Sequence, residues 1–445
     1  MKQSVSIIVL LLLISTVTVS FFQIGLVKAD PNMIVVPDDY STINGAISHA
    51  SGGDTIVIRN GTYTEQTLEI NKSLTITSEY VNGAKISLHP PLSPAGTPWG
   101  GIIMVYDYPI RIYADDVFIS GCNITSDGGD ISANGNRIQI LNNTMITERT
   151  GISVYITGNE SQILGNTMAG LIVAGSNNTA RDNHSASISV SGSFNFIIKN
   201  DAGGMALIGS RNVVDGNSFV TTSGVGIWII NADYNTIINN IVVGSNVGIA
   251  IGYANPSGSY NIFAGNTVEG SSLYGILLRN GSGNVFYGNR IANNSGYGLV
   301  LGGYRYDRET DNNLFFHNIF VNNTQDFDWD VNGSNFFDNG TEGNYWDDYL
   351  AKYPSATELD HSGVGNTPYL VYANTMDNYP LMNEPDVSAI VPALPNPWSQ
   401  LSLINPADIN TIPEFPSWTL LLAGFFVITV LSIFYKRQFN YRGRK

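Results

Sequence analysis

The sequence predicts an all-β fold in the form of a right-handed parallel β-helix with about ten coils. Three observations lead to this prediction: a short pattern bounded by Asn, its regular spacing, and a Gly-apolar pattern that recurs in phase with it. Three copies of the first pattern, at residues 178–183, 195–200 and 212–217, begin and end with Asn. Corresponding asparagines lie 17 residues apart, which indicates a structural period.

The closing asparagine of this pattern recurs well beyond these copies, at steps of 17 to 29 residues. No apolar 3.6-residue period appears inside a repeat, so the units are predicted to be strands. In a parallel β-helix, equivalent residues of successive coils stack about 4.8 Å apart, and Asn suits both the turn and a side-chain ladder. We therefore predict a structural ladder formed by Asn143, Asn166, Asn183, Asn200, Asn217, Asn240, Asn266, Asn289 and Asn318.

The second pattern is a Gly followed by alternating apolar residues, as at Gly226-Ile-Trp-Ile and Gly248-Ile-Ala-Ile. Its phase relative to the first pattern predicts two strands in each repeat. A left-handed coil usually shows a strict hexapeptide rhythm, which this chain lacks, so a right-handed coil is favoured.

Both ends of the solenoid are predicted to be capped, because an open coil would expose its apolar interior and its strand edges. The β-helix is assigned to residues 30–326. At its start, residues 41–50 carry Ile43, Ala46, Ile47 and Ala50 on one helical face, with Ser41 available as the N-cap. At its end, residues 327–385 are rich in aromatic side chains and predict a C-terminal cap.

The terminal segments predict export and a membrane anchor. Residues 1–29 combine Lys2, an apolar stretch and a small-residue cleavage site, which is typical of a signal peptide; a retained N-terminal anchor is the alternative. Residues 386–416 are Pro-rich and read as a stalk. Residues 417–435 carry no charge and are long enough to span a bilayer, and the basic residues 436–445 are predicted to stay in the cytoplasm.

Several stretches resemble a known family. The opening "VPDDYSTINGAISHASGGDTIVIRNGTYTE" is similar to that of secreted right-handed β-helix proteins of the pectin-lyase-like superfamily. The Asn-bounded coils resemble the NosD-like branch, as do "EGNYWDDY", "GVGNTPY" and "DNYPLM" near the end. That branch includes copper-associated periplasmic proteins and proteins of carbohydrate binding and sugar hydrolysis. The resemblance covers about residues 34–383 and implies the fold more specifically than any activity.

The segment "IPEFPS", which precedes the apolar span, resembles the PEF-type C-terminal sorting signals of archaeal surface proteins. The resemblance implies cleavage by a sortase-like enzyme and transfer to a lipid anchor. Without such processing, the span itself would anchor the protein. Both routes place the bulk of the chain on the extracellular face of the cell membrane. Recurring Asn-x-Ser/Thr sequons further predict a glycoprotein.

The charge balance excludes nucleic acid as a partner. The chain carries 36 acidic and 21 basic residues, a formal net charge of −15, and its C-terminal tail holds five of the basic residues. The extracellular part is therefore acidic and repels polyanions. The single cysteine, Cys122, excludes internal disulfides and is expected to be a small packed residue.

The outward positions of the Gly-apolar strands offer a test for catalysis. They alternate with the interior positions and contain no carboxylate, whereas glycoside hydrolysis needs two. They do offer Tyr155, Trp228 and Arg279, which suit stacking on sugars and clamping them. The alternative to sugar binding is that these side chains only cover apolar surface.

The clearest acidic cluster in the sequence consists of Asp326, Asp328 and Asp330. If the strand is extended, these carboxylates share one face at steps of about 6.7 Å, a separation compatible with an inverting hydrolase or with a shared calcium ion. We treat them as candidate catalytic residues, with solvated surface acids as the alternative. No His or Met pair has the spacing of copper ligands, so no copper site and no cofactor other than calcium is expected.

Together these features predict a non-catalytic surface protein whose partners are extracellular polysaccharide or envelope components and, through its C-terminal helix, the membrane. The enzyme alternative is a polysaccharide hydrolase or lyase acting at the cell surface. A second alternative is a NosD-like, copper-associated accessory protein.

Overall fold

The structure is a computed structural model that describes residues 31–96, 102–106, 108–147, 153–252, 258–302, 310–329 and 334–387. The predicted signal peptide, nearly all of the stalk, the span at 417–435, the basic tail and Asp330 lie outside these ranges. Within the described ranges, no helix is long and apolar enough to cross a membrane.

The chain winds into a parallel β-helix whose strands form three rows. Row A holds thirteen strands that pair in parallel from coil to coil. Its strands are Met33–Val36, Thr55–Ile58, Thr75–Ser78, Phe118–Ser120, Gln139–Leu141, Gln162–Leu164, Thr179–Arg181, Phe196–Ile198, Val213–Asp215, Thr236–Ile238, Ile262–Ala264, Val285–Tyr287 and Leu314–Phe316.

Rows B and C share one sheet of 23 strands. In most coils row B follows the closing Asn and comprises Gly61–Glu65, Ala84–Leu88, Asn123–Ser126, Thr144–Thr147, Asp201–Ala202, Ser218–Val220, Ile241–Val243, Thr267–Glu269, Arg290–Ala292, Ile319–Val321 and Tyr345–Trp346. Row C carries the Gly-apolar pattern and comprises Leu68–Ile70, Ile110–Ile112, Ile131–Ala133, Ser153–Ile156, Met205–Leu207, Val225–Ile229, Val247–Ile251, Tyr274–Leu278, Tyr297–Leu301 and Gln325–Trp329. Two seven-residue strands, Thr167–Val173 and His184–Val190, run through both rows without a break.

Two features of this architecture differ from the sequence-based expectation. Most coils contain three strands instead of two, because the short strands of row B have no separate hydrophobic signal. Row A alone has thirteen strands, more than the predicted ten coils, because the first coils lack the Asn pattern that revealed the later ones. The all-β class and the stacked parallel strands are confirmed.

A short helix, α1 (Ile43–His49), covers the first coil as predicted, with Ile43, Ala46 and Ile47 buried. Its N-cap is Thr42 and not Ser41, and the Thr42 side chain accepts a hydrogen bond from the Gly45 amide. The buried Glu65 carboxylate accepts from the Ile43 amide at 2.7 Å, which places an anion at the helix start.

The remaining elements lie outside the three rows. Near the start, an antiparallel hairpin joins Leu92–Gly96 to Ile102–Tyr106. At the far end, helix α2 (Tyr349–Lys352) and two antiparallel pairs, Glu358–Leu359 with Val364–Gly365 and Tyr369–Tyr372 with Thr375–Asp377, pack beyond the last coil. Trp346 stacks between Phe320 and Tyr369, at ring-centroid distances of 4.5 and 4.6 Å, and so joins the coils to this cap.

Buried asparagines connect the coils in a continuous hydrogen-bonded ladder. All nine predicted residues take part, and Asn344 extends the series. At Asn183, the side-chain oxygen accepts from the Asn166 backbone amide at 3.0 Å, and the side-chain nitrogen donates to Asn200 Oδ1 at 2.9 Å and to the Ile163 carbonyl at 2.7 Å. Each Asn of the ladder therefore contacts the coils on both sides of its own coil.

The opening asparagines of the pattern form a second ladder that the sequence did not assign. It runs through Asn178, Asn195, Asn212, Asn235, Asn261, Asn284, Asn313 and Asn335. Both ladders satisfy buried backbone amides at corners of the coil, where no strand partner is available.

The ladder predicts that Asn200→Ala destabilises the protein. The substitution leaves the Asn183 amide without its acceptor and the Ala180 carbonyl without a donor, at about 1–3 kcal/mol for each unsatisfied group. Thermal unfolding of the full-length protein measures the effect, with Asn134→Ala as the control because Asn134 is exposed. Equal unfolding midpoints for the two variants would contradict a stabilising role of the ladder.

Candidate functional site

The outward side of row C carries one straight line of side chains, which we call the outer row. Strand register aligns Tyr155 with Ile172, Ser189, Ala206 and Trp228 in successive coils. Tyr155 and Trp228 therefore lie on the same line, four coil steps or about 19 Å apart. The structure brings two of the predicted carbohydrate-binding residues onto one face.

The surface between these two aromatic residues is flat, because the three coils that form it are the shortest in the repeat region. The strands Thr167–Val173 and His184–Val190 pass through it without a turn between rows B and C. Ile172, Ser189 and Ala206 are half-buried and carry no charge. The outer row thus forms an uncharged strip with an aromatic residue at each end.

Beyond Trp228 the outer row becomes a separate apolar cluster. Ala250, Leu277 and Val300 are buried there although they point away from the interior core. Trp228 packs against this cluster, which fixes one edge of the indole. Arg279 lies two residues after Leu277, on the neighbouring line of the same face and about 10 Å along the axis from the coil of Trp228. It is therefore offset from the strip.

An exposed aromatic stack borders the same face, and sequence reasoning missed it. The guanidinium of Arg211 lies 5.7 Å from the ring centroid of Phe194 and 5.6 Å from that of Tyr234. Tyr234 in turn stacks on Tyr260 at 5.1 Å. The three rings are each about half exposed. Cation–π and stacking contacts hold this ridge together along four coils.

The backbone of this ridge is strained. Phe194, Arg211, Tyr234 and Tyr260 all have φ near +57°, a left-handed conformation that bulky side chains rarely adopt. Arg137, Glu160 and Asn177 have the same φ at the equivalent position of earlier coils, so this conformation belongs to the corner of the coil. The sequence does contain a signal for this ridge: each of its residues immediately precedes the opening Asn of a repeat. Strand alternation does not reveal them, because they lie in turns.

The predicted acidic cluster is divided between two environments. Asp328 aligns with Val300 and so continues the outer row. Asp326 stands beside Gly298 in the register, and its Oδ1 accepts a hydrogen bond from Asn323 at 3.0 Å. Asp330 lies outside the described residues. Asp326 and Asp328 are two residues apart in the strand Gln325–Trp329, so strand alternation keeps both on its outward side, as predicted.

Asp326 also meets two carboxylates of the C-terminal cap. One oxygen from each of Asp326, Asp347 and Asp348 lies within 4.8 Å of the others. Burial raises the pKa of Asp326 to about 6; the Asn323 hydrogen bond opposes this shift, and the charges of Asp347 and Asp348 add to it. Oxygen-only donors of this kind suit a hard cation such as calcium.

Copper, which the family resemblance implies, does not fit the described residues. Among them, the acidic cluster is the group of three His, Cys, Asp or Glu side chains with converging ligand atoms, and it offers no nitrogen or sulfur. The histidines are dispersed: His89 contacts Asp127, His184 contacts Asp201, and His317 contacts Glu342. Cys122 is buried, which raises the pKa of its thiol to about 12 and disfavours the thiolate.

The geometry defines a class: a parallel β-helix with an uncharged, aromatic-ended outer strip and capped ends. The family model described as "Periplasmic copper-binding protein (NosD)" matches residues 97–351, more than half of the chain. The chain therefore belongs to the NosD family, whose fold is the right-handed β-helix.

Comparison with solved structures gives matches at low sequence identity. The A-module of the Azotobacter vinelandii mannuronan C-5 epimerase AlgE6 is 14% identical, with a TM-score of 0.50, covering 66% of this chain and 91% of the module. A mannuronic acid specific polysaccharide family 6 lyase from human gut microbiota is 16% identical, with a TM-score of 0.45, covering 67% of this chain and 83% of the lyase. The similarity to the AlgE6 module concerns the fold alone. Comparison with curated proteins gives no match.

The raised pKa of Asp326 predicts a pH-dependent stability. The folded state binds this proton more tightly than the unfolded state, so stability falls as pH rises from about 4 through about 6. Asp326→Asn removes the titration and should raise the unfolding midpoint at pH 7.5 but not at pH 4. Thermal scans at both pH values, with chelator present, test this. An Asn variant that loses stability at pH 7.5 would contradict the assignment.

Proposed function

We propose that this protein is exported, anchored at the outer surface of the cell membrane by residues 417–435, and binds extracellular carbohydrate or other envelope components on the outer row. The main support for the proposal is the placement of Tyr155 and Trp228 at the two ends of one uncharged strip. Aromatic rings stack on the apolar faces of sugar rings, and a strip of about 19 Å accommodates several sugar units in line.

The binding mode follows from the direction of the strip. Since the outer row runs along the helix axis, a glycan that reaches both rings lies parallel to that axis. The ridge of Phe194, Arg211, Tyr234 and Tyr260 borders the strip and adds exposed ring edges and one guanidinium. The chain carries a net charge of −15, so we expect neutral glycans to bind better than acidic ones.

The proposal assigns the strip no role in hydrolysis. Between Tyr155 and Val300 the outer row contains no carboxylate, and glycoside hydrolysis requires two. Binding at this face is therefore non-catalytic in the proposal.

A second candidate function is polysaccharide hydrolysis at the acidic cluster. One observation favours it: Asp326, with its pKa raised to about 6, lies beside the carboxylates of Asp347 and Asp348. A protonated carboxylic acid next to an ionised carboxylate is the pairing that glycosidases use. Product analysis separates this candidate from simple binding.

A glycan-array screen of the full-length protein tests the proposal. We expect binding to neutral polysaccharides, weakened about tenfold, or about 1.4 kcal/mol, by either Trp228→Ala or Tyr155→Ala. Tyr80→Ala is the matched control, because Tyr80 is an exposed aromatic residue away from the strip. Binding that survives both strip substitutions would contradict the proposed face.

Each positive glycan is then incubated with the protein, with calcium and with chelator, and analysed for products. The proposal predicts no new reducing ends and no unsaturated sugars. If the protein turns over a glycan and Asp326→Asn abolishes this turnover, the protein is a hydrolase and the proposal of non-catalytic binding is wrong.

A further inference from the structure

A Ser-His-Asp arrangement lies on the outward side of row B, in early coils that precede the outer-row strip. Ser87 Oγ lies 3.3 Å from His89 Nε2, and His89 Nδ1 lies 2.6 Å from Asp127 Oδ2. The serine and the carboxylate therefore bond to opposite nitrogens of one imidazole. This is the connectivity by which a histidine activates a serine nucleophile.

The strand geometry holds the three side chains in place. Ser87 is in Ala84–Leu88, and His89 follows it two positions later on the same side. Asp127 follows the neighbouring strand Asn123–Ser126, and its amide donates to the Leu88 carbonyl at 3.2 Å. The His89 amide donates to the Glu65 carbonyl at 2.9 Å. Backbone bonds on both sides thus determine where the imidazole sits.

The hydrogen bonds also determine the tautomer. The Asp127 carboxylate is an acceptor, so His89 Nδ1 carries the proton and donates it. In the neutral imidazole, Nε2 is the acceptor for the Ser87 hydroxyl. Ser87 is half-buried and His89 is exposed, so a substrate reaches the hydroxyl from solvent.

We propose that Ser87, His89 and Asp127 form a hydrolytic site for esters of short carboxylic acids. Ser87 Oγ attacks the ester carbonyl carbon while His89 Nε2 takes the hydroxyl proton. The carbonyl carbon–alkoxy bond then breaks, and His89 returns the proton to the leaving alcohol. A water molecule, deprotonated by His89, attacks the acyl-Ser87 ester and releases the carboxylic acid with Ser87 restored.

The surroundings limit the substrate and the rate. Strand register places the hydroxyl-bearing Thr64 and Thr125 on either side of Ser87, and Lys85 lies two residues before it, so polar side chains flank the serine. The site lies on the outside of a sheet, which favours a short acyl group presented from solvent. Hydroxyl donors in place of a backbone oxyanion hole predict a slow esterase.

Hydrolysis of p-nitrophenyl acetate by the full-length protein tests this site. We expect Ser87→Ala and His89→Ala each to lower the rate at least tenfold, and Asp127→Asn to lower kcat with little change in KM. His184→Ala is the matched control, because His184 is an exposed histidine that contacts Asp201 at 3.0 Å. It should leave the rate unchanged.

Covalent labelling gives a readout that is independent of turnover. A fluorophosphonate probe should attach to Ser87, as identified by peptide mass, and His89→Ala should abolish the adduct while the unfolding midpoint stays unchanged. Hydrolysis that persists in Ser87→Ala, or a label on another residue, would overturn the proposal. Neither result depends on glycan binding by the outer row, so the two functions fail or succeed separately.

Discussion

The fold depends on hydrogen bonds that buried asparagine side chains make between coils. Each closing Asn accepts from the backbone amide of the preceding coil and donates through its side-chain nitrogen, so one residue type satisfies groups that turns would otherwise leave unpaired. The ladder has a direction, and its last amide needs an acceptor that no further coil provides. Asp377 fills this role: it is fully buried and accepts from the Asn344 amide at 2.7 Å and from Trp346 Nε1 at 2.9 Å. Burial raises its pKa to about 7, although these bonds favour the charged form.

Asp326 ends a shorter series in the same way. Asn294 and Asn323 repeat the ladder contact near the last coils, and Asn323 then donates to Asp326. Asp377 and Asp326 therefore each end a series of asparagines at the C-terminal cap. This gives Asp326 a structural role beside its place in the acidic cluster. By contrast, the length of the coils determines how flat the outer-row strip is. Three coils of minimal length leave a flat floor between Tyr155 and Trp228, and longer coils begin beyond it.

Features that recur within each coil could be predicted from the sequence. The period of the asparagines gave the ladder, and strand alternation placed Tyr155 and Trp228 on the outward side. Features created between distant segments could not be predicted in this way. Asp326 meets Asp347 only because the cap folds back on the last coil, and Ser87 and Asp127 are joined by a register across 40 residues that lack the Asn pattern. The aromatic ridge was missed because its residues occupy left-handed turn positions, where propensity argues against Phe and Tyr.

We propose that carbohydrate lies along the outer row. A crystal structure of the protein with the tightest-binding oligosaccharide tests it most directly. We expect sugar rings in line with the helix axis, with one stacked on Tyr155 and another on Trp228. An oligosaccharide bound at Asp326, Asp347 and Asp348, with the strip empty, would contradict it and make the acidic cluster the functional site.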